Sequence, residues 1–313
     1  AQDYPKEKFE IIVVSKEKAE ITEVPGLKTI LIDKDVNYAQ ARNVGAQEAV
    51  GEILAFIDDD CMVPKDWLSK AVIYFRDKNI DLVGGPALPF LKDSFKRRVV
   101  GYMFSSPFVA GVASSRYKPM SQAFETEGDH LIMANNLLRK TAFDAVAGLH
   151  KKQIPCEDGY FYYKLKNAGR RMIYAPEIFV WHRTKALFLQ ALGKVFYYAL
   201  GRGGMAVRDI KTVKMIYLIP TLCIFIVLGL LILSLFSKTF FYFLIFLLTV
   251  YLFMDLINSF YIFLKLEKNF LLLPVVFFTT PLMHFSYGIG FLSGILKYLS
   301  GGLKTGWRIG MNH

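Results

Sequence analysis

Three consecutive carboxylates stand at the end of a short apolar run. The run at 53–57 reads Ile-Leu-Ala-Phe-Ile, and Asp58, Asp59 and Asp60 follow it directly. A run of this length is typical of a buried strand in a parallel sheet, and open α/β sheets bind ligands at the carboxyl ends of such strands. Adjacent acids repel one another, and hard oxygen ligands suit Mg²⁺ or Mn²⁺. The pattern therefore indicates a cation that bridges to a phosphorylated substrate, although a solvated acidic turn has the same composition.

A second acidic pair lies about 100 positions further along the chain. Glu157 and Asp158 precede a segment of helical character that ends at Gly169. A carboxylate in such a place is suited to general-base catalysis on a substrate hydroxyl. Two acids at the start of a helix are also ordinary helix capping. The sequence alone leaves both interpretations open.

Strand and helix patterns alternate around these acids. Apolar, β-branched runs predict strands, and the segments between them have helical spacing closed by Gly or opened by Pro. This alternation predicts an α/β fold with a Rossmann-like, mixed and mostly parallel sheet. The strands that carry the pattern are at 9–14, 29–32, 53–57 and 81–85, and the helices are at 37–50 and 64–76.

Three long apolar blocks occupy the C-terminal third, at 215–236, 240–264 and 270–296. About 20 apolar residues span a bilayer, so each block is long enough for a transmembrane helix. The overall hydrophobic content of 53% reflects this region. Asp255 lies inside the second block, where an acid either serves a function or pairs with a neighbouring helix.

Basic residues at 202–214 precede the first block, and the positive-inside rule then puts the N-terminal part in the cytosol. Three full crossings would leave the tail, with Lys297, Lys304 and Arg308, on the outside, which the same rule disfavours. A re-entrant third block is the alternative. The net charge of +11 fits an anionic membrane surface, and no nucleic-acid-binding signature accompanies it.

The segment 187–212 combines apolar and aromatic residues with Lys194, Arg202 and Arg208. That composition predicts an amphipathic helix on a membrane surface, and a helix packed on the preceding domain is the alternative. The three cysteines show no metal-binding spacing and no CxxC pair, so we expect reduced thiols.

Six motifs follow one another in the chain. They are Phe9-Glu10-Ile11-Ile12-Val13-Val14, Ala41-Arg42-Asn43-Val44-Gly45, the acidic strand end, Val83-Gly84-Gly85, Ala134-Asn135 with Arg139-Lys140, and Glu157-Asp158 with His182 as the closing histidine. In this order they resemble the motifs of family 2 glycosyltransferases of the membrane-associated bacterial or archaeal kind. The similarity covers roughly residues 4–185.

The resemblance implies a GT-A fold with C-terminal transmembrane helices. It divides the chain into a catalytic domain at 1–186, an interfacial helix region at 187–212 and a membrane domain with a basic tail at 213–313. By this resemblance we expect residues 1–186 to lack the family's first strand, and Ser15-Lys16-Glu17 stands where the second strand usually ends in acidic residues. Those two departures leave the nucleotide base open among UDP, GDP and dTDP.

The resemblance also implies roles for individual residues. Asp158 would be the catalytic base, with Glu157 as its neighbour. The remaining assignments are Arg42, Asn43, Asp58 and Asp59 for donor binding, Gly84, Gly85 and Asn135 for acceptor binding, and Asp58, Asp60 and His182 for Mg²⁺ or Mn²⁺.

The family's activity is transfer of a sugar, here with inversion, from a nucleotide-sugar donor. Gln190-Ala191-Leu192-Gly193 does not match the Gln-x-x-Arg-Trp motif of processive members, so we expect one sugar per encounter. The expected acceptor is polyprenyl phosphate or a polyprenyl-diphosphate-linked saccharide, used at the cytosolic face of the cell membrane in polysaccharide or glycoconjugate synthesis. Membrane lipid is a further expected partner, and the sequence says nothing about oligomeric state. A membrane-anchored nucleotidyltransferase and a non-catalytic membrane interaction protein are the alternatives.

Overall fold

The structure is a computed structural model that describes residues 2–17, 26–152 and 155–301. The chain divides into two compact units. The first consists of Ala1–Leu88 and Ser115–His182, and the second of Pro89–Ser114 and Arg183–His313. Residues 89–114 thus fold with the C-terminal part of the chain. Lys304 and Arg308 of the predicted basic tail lie outside the described residues.

The strands of the described residues form three sheets, ordered β1-β2, β4-β10-β6 and β3-β8-β5-β9-β7. Their bounds are β1 (Ile11–Ser15), β2 (Leu27–Leu31), β3 (Ile53–Ile57), β4 (Cys61–Met62), β5 (Ile80–Gly84), β6 (Ala87–Pro89), β7 (Phe124–Glu125), β8 (Asn135–Arg139), β9 (Arg171–Tyr174) and β10 (Val180–His182).

The five-stranded sheet is mixed, as expected, but it is not mostly parallel. β8 lies between β3 and β5 and is antiparallel to both. β5 and β9 are parallel, and β7 is antiparallel to β9. The sequence pattern did not reveal this arrangement because a strand buried on both faces has the same apolar composition in either direction.

The helices have bounds α1 (Tyr38–Glu48), α2 (Trp67–Tyr74), α3 (Phe95–Phe104), α4 (Pro107–Ala110), α5 (Lys140–Ala145), α6 (Glu157–Asn167), α7 (Leu189–Arg208), α8 (Met215–Ser234), α9 (Lys238–Lys265) and α10 (Leu272–Leu299). Short 3₁₀ turns lie at 6–8, 111–116 and 210–212. Asn37 caps α1 through a capping box with Gln40, which satisfies backbone N–H groups at the start of the helix.

Two buried clusters lie on opposite faces of the five-stranded sheet. Leu82 and Leu138 belong to one cluster, and the adjacent Val83 and Leu137 belong to the other. Successive side chains of a strand point to opposite faces, so neighbouring apolar residues are buried on both sides. This three-layer packing holds the ends of β3, β5 and β8 in fixed positions.

In the second unit, α8, α9 and α10 are long and apolar enough to cross a membrane. The three predicted blocks differ from these helices by only a few residues at each end. α10 is continuous through Pro281. Asp255 is fully buried in α9 and faces Asn258 and Thr280.

α7 packs along α10 through glycines. A Cβ atom on Gly294 would lie 2.1 Å from the Leu200 carbonyl oxygen, and one on Gly290 would lie 2.5 Å from that of Phe196. Glycine permits this close approach of two helix backbones. Within its own unit, the segment predicted to lie on a membrane surface is therefore a packing partner of α10.

Candidate active site

Arg42 of α1 connects the two acidic segments that the sequence placed about 100 positions apart. Its Nη2 lies 2.7 Å from Asp58 Oδ1, and its Nη1 lies 3.1 Å from Glu157 Oε1. Burial alone would lower the pKa of Arg42, but Asp58 and Glu157 together raise it. The guanidinium therefore stays charged, and the acidic end of β3 and the start of α6 form one cluster.

Glu157 and Asp158 occupy the first turn of α6, where the helix dipole favours negative charge. Cys156 precedes them with φ 78°, a left-handed conformation that turns the chain into the helix. Burial, and then the neighbouring Asp158, raise the pKa of Glu157, while Arg42 opposes the shift. Asp158 is itself buried, and its Oδ1 accepts a hydrogen bond from Gly159 N. The first turn of α6 thus holds two neighbouring acids, one of which is paired with a cation from a distant segment of the chain.

Arg116 is a site residue that the sequence reading missed. Its Nη1 lies 3.7 Å from Asp158 Oδ2, and its Nε donates to the Asp129 carbonyl at 2.8 Å. Its only local signal is a basic residue in an otherwise irregular stretch. The contact depends on a fold that brings residues 116 and 158 together, which the spacing of sequence motifs does not reveal.

A second group of side chains surrounds Asp60. His182 Nε2 lies 3.2 Å from Asp60 Oδ1, and the Cys61 sulfur lies 4.0 Å from the same oxygen. One ligand atom from each of these three residues lies within 4.8 Å of the others. Burial, followed by Asp58 and Asp60, raises the pKa of the Cys61 thiol.

The donor atoms of this group fit a divalent cation. His182 is buried. Its Nδ1 has no hydrogen-bond partner among the described residues, so no hydrogen bond at that nitrogen fixes the orientation of the imidazole ring. Carboxylate, imidazole and sulfur are all ligands of divalent transition metals. Asp58, also expected as a ligand, pairs with Arg42 through its Oδ1.

Asp59 is exposed beside this cluster. Together with burial and Glu157, it raises the pKa of Tyr38, the first residue of α1. Tyr38 is more than half exposed, so an aromatic ring borders the acids on the solvent side.

The two asparagines expected to bind substrates are occupied by the fold. Asn43 Oδ1 accepts from Leu149 N at 2.9 Å, and its Nδ2 donates to Leu149 O at 2.8 Å. Asn135 accepts from the Trp67 indole at 2.9 Å and donates to the Ile178 carbonyl at 2.7 Å. Both side chains hold neighbouring segments in place.

Gly84 and Gly85 pack against protein backbone. A Cβ atom would lie 2.7 Å from the Asn135 carbonyl oxygen at Gly84, and 1.9 Å from the Ile178 carbonyl oxygen at Gly85. The absence of a side chain is therefore required by strand packing here, whatever binds nearby.

Comparison with known proteins supports the resemblance seen in the motifs. Residues 1–146 match the family model described as Glycosyl transferase family 2. Glycosyltransferase AglE from Haloferax volcanii is 36% identical over 94 residues, which cover 27% of this chain. The match spans 31% of the length of that relative.

The fold is also similar to that of a solved structure, the mannosyltransferase PcManGT from Pyrobaculum calidifontis in complex with GDP-Man and Mn²⁺. The similarity has a TM-score of 0.57 at 16% sequence identity, and it covers 95% of this chain and 80% of the other. At this identity the likeness concerns the fold, including its C-terminal helices.

Proposed function

We propose that this chain is a family 2 glycosyltransferase, as the match of residues 1–146 to that family model supports, and that it transfers a hexose from a nucleotide-sugar donor to a lipid-linked acceptor. The transfer inverts the anomeric configuration and moves one sugar per encounter. The acceptor is polyprenyl phosphate or a polyprenyl-diphosphate-linked saccharide at the cytosolic face of the cell membrane. The product enters cell-surface polysaccharide or glycoconjugate synthesis.

One observation carries this proposal: the double ion pair of Arg42 with Asp58 and Glu157. It joins the acidic strand end, on the donor side, to the acidic pair of α6, on the acceptor side. A single-displacement transfer needs both elements within one site, because the acceptor oxygen attacks as the nucleotide leaves.

The residues then divide the reaction between them. When the acceptor is a lipid-linked saccharide, Asp158 accepts the proton of the attacking hydroxyl, whereas a polyprenyl phosphate attacks through an ionised oxygen and needs no base. Arg116 Nη1 lies 3.7 Å from the Asp158 carboxylate. Glu157 and Asp58 are held by Arg42, which keeps the two halves in register. A divalent ion held by Asp60 and His182 would neutralise charge that develops on the leaving diphosphate.

The lipid-linked acceptor is supported by the three apolar helices of the second unit. A chain that spans the membrane reaches a lipid substrate without that substrate leaving the bilayer.

The test is a transfer assay with the full chain in detergent, Mn²⁺ or Mg²⁺, a panel of sugar nucleotides and total membrane lipid. GDP-mannose is the first donor, because the structural relative was solved with it. With one of the donors, we expect a labelled lipid product and release of the free nucleoside diphosphate. Release of pyrophosphate would instead indicate a nucleotidyltransferase.

Asp158→Asn is the decisive variant, since loss of a general base typically slows a reaction about 10²- to 10⁴-fold. The matched control is Asp144→Asn, in α5 of the same unit. Unchanged transfer by Asp158→Asn to a lipid-linked saccharide would overturn the mechanism. Product with retained anomeric configuration, measured by NMR, would overturn the inverting assignment.

A further inference from the structure

Cys61 and His182 are direct cross-strand neighbours. They lie opposite each other in the antiparallel pair of β4 and β10. Residues directly opposite in such a pair have Cβ atoms about 4.5–5.5 Å apart and project from the same face. The thiol and the imidazole are therefore placed side by side by the backbone itself.

Asp60 completes this arrangement from the residue before β4. Its Oδ1 lies 4.0 Å from the Cys61 sulfur and 3.2 Å from His182 Nε2. Ligands on one tetrahedral ion, with bonds of about 2.0–2.3 Å, are roughly 3–4 Å apart. The three donor atoms, within 4.8 Å of one another, need only a small contraction to reach that separation.

We propose that Cys61 is a third protein ligand of the divalent ion at Asp60 and His182. The inference rests on the proposed function for the presence of an ion there. The sulfur–metal bond forms as the thiol proton leaves to solvent, since the thiolate is the ligand form. No electrons are exchanged.

A mixed oxygen, nitrogen and sulfur set has a consequence for metal choice. Thiolate and imidazole favour Zn²⁺ and other softer ions, whereas carboxylates suit Mg²⁺ and Mn²⁺. This chain therefore binds Co²⁺, Zn²⁺ and Cd²⁺ more tightly, relative to Mg²⁺, than an all-oxygen site would.

Cobalt spectroscopy tests this without any transfer assay. The full chain in detergent is titrated with Co²⁺ in the absence of donor. We expect a sulfur-to-cobalt charge-transfer absorption in the near ultraviolet, saturating together with the visible cobalt bands. Cys61→Ser should lose the charge-transfer absorption and keep the visible bands.

Controls assign the absorption to one cysteine. The double variant Cys156→Ser with Cys223→Ser retains Cys61 as its only cysteine and should keep the absorption. Competition with Cd²⁺ should show that Cys61→Ser weakens Cd²⁺ binding at least about tenfold. Mutation of residues outside the ligand shell already lowers metal affinity by about tenfold or more, and loss of a ligand should cost at least as much. The affinity of the Cys61→Ser variant for Mg²⁺ should differ little from that of the wild type.

Three results would overturn the assignment. They are bound Co²⁺ without charge-transfer absorption in the wild type, absorption that persists in Cys61→Ser, and no Co²⁺ binding at all. If Cys61→Ser fails to fold, the ¹¹³Cd chemical shift of the wild type decides, because a sulfur ligand moves it strongly downfield. Failure of sugar transfer with the absorption present would count against the proposed function alone.

Discussion

Arg42 is the residue on which the two acidic segments depend. Asp58 and Glu157 are mostly buried carboxylates from distant parts of the chain, and a single guanidinium satisfies both. Removing one partner of a buried ion pair leaves uncompensated charge, which costs more than the pair contributes. At Arg42 two carboxylates would be left without their cation.

We therefore expect Arg42→Met to destabilise the first unit by about 3–5 kcal/mol. Arg42→Lys should recover part of this, because one ammonium cannot reproduce the two-pronged geometry. Thermal unfolding in detergent measures both variants. The matched control is Lys28→Met, which breaks the exposed pair with Glu48 at 2.5 Å and should leave the midpoint nearly unchanged. Equal midpoints for Arg42→Met and Lys28→Met would contradict this role.

In the proposed mechanism, Arg116 acts by positioning Asp158, from which its Nη1 lies 3.7 Å away. Its Nε is held by the Asp129 carbonyl, so the guanidinium is fixed before it meets the carboxylate. We expect Arg116→Met to leave donor affinity unchanged while the turnover number falls about 10²-fold, the effect of misplacing a reacting group by about 1 Å. Arg116→Lys should recover part of the rate.

Separate measurement of donor affinity and turnover number is the check for Arg116. Arg171→Met is the control, since Arg171 pairs with the exposed Glu125 and Asp77 elsewhere in the unit. A change in donor affinity without a change in turnover would mean that Arg116 serves the donor side.

At the scale of elements, the sequence predicted the bounds of strands and helices best where an apolar run is followed directly by a polar residue or a glycine that ends it. The apolar run before Asp58 is β3, with the predicted bounds, and the glycine-stopped segment is α6. The antiparallel insertion of β8 was not predictable, because its Leu137 and Leu138 are buried on opposite faces and carry no sign of strand direction. The hydrogen-bond partners of the Asn135 side chain, Trp67 and Ile178, likewise lie far from it in sequence.

The α7–α10 contact is an element-scale feature that a single methyl group tests. A Cβ atom at Gly294 would lie 2.1 Å from a backbone oxygen, and backbone cannot rotate away as a side chain can. We expect overpacking in Gly294→Ala to lower the free energy of unfolding by about 1–3 kcal/mol. The higher helix propensity of alanine offsets about 1 kcal/mol of that loss. The thermal midpoint should fall.

Gly229 of α8 is the matched control for that variant, because a Cβ atom added there would have nothing within 4 Å. Gly229→Ala should keep or raise the midpoint, since only the helix-propensity gain remains. Parallel shifts in the two variants would show that the α7–α10 contact is not tight.

At the scale of the whole molecule, hydropathy revealed the three apolar helices but not the composition of the second unit. Residues 89–114 belong to that unit although they lie between strands of the first. Their helices α3 and α4 are short and show no clean period. Their partners are far away in sequence, as Arg98 and Glu267 show at a separation of 169 residues. Local pattern therefore carries no information about this assembly.

The Arg98–Glu267 ion pair allows the packing of residues 89–114 within the second unit to be measured. Arg98 Nε donates to Glu267 Oε2 at 2.9 Å, and its Nη2 donates to Oε1 at 2.9 Å. The hydrogen bond from Arg98 lowers the pKa of Glu267 from its ordinary value of 4.5. A carboxyl with a lowered folded-state pKa contributes stability that is present above its unfolded value and is lost as the pH falls through the folded value.

Acidification below about pH 4.5 should therefore destabilise the wild type more than Glu267→Gln, which cannot titrate. At neutral pH, a double-mutant cycle with Arg98→Met and Glu267→Gln should give a coupling of about 1–2 kcal/mol, as expected for a hydrogen-bonded pair that is mostly buried. Thermal unfolding in detergent between neutral and acid pH measures both effects. A coupling near zero, with parallel acid profiles, would mean that apolar packing alone joins α3 to the segment between α9 and α10.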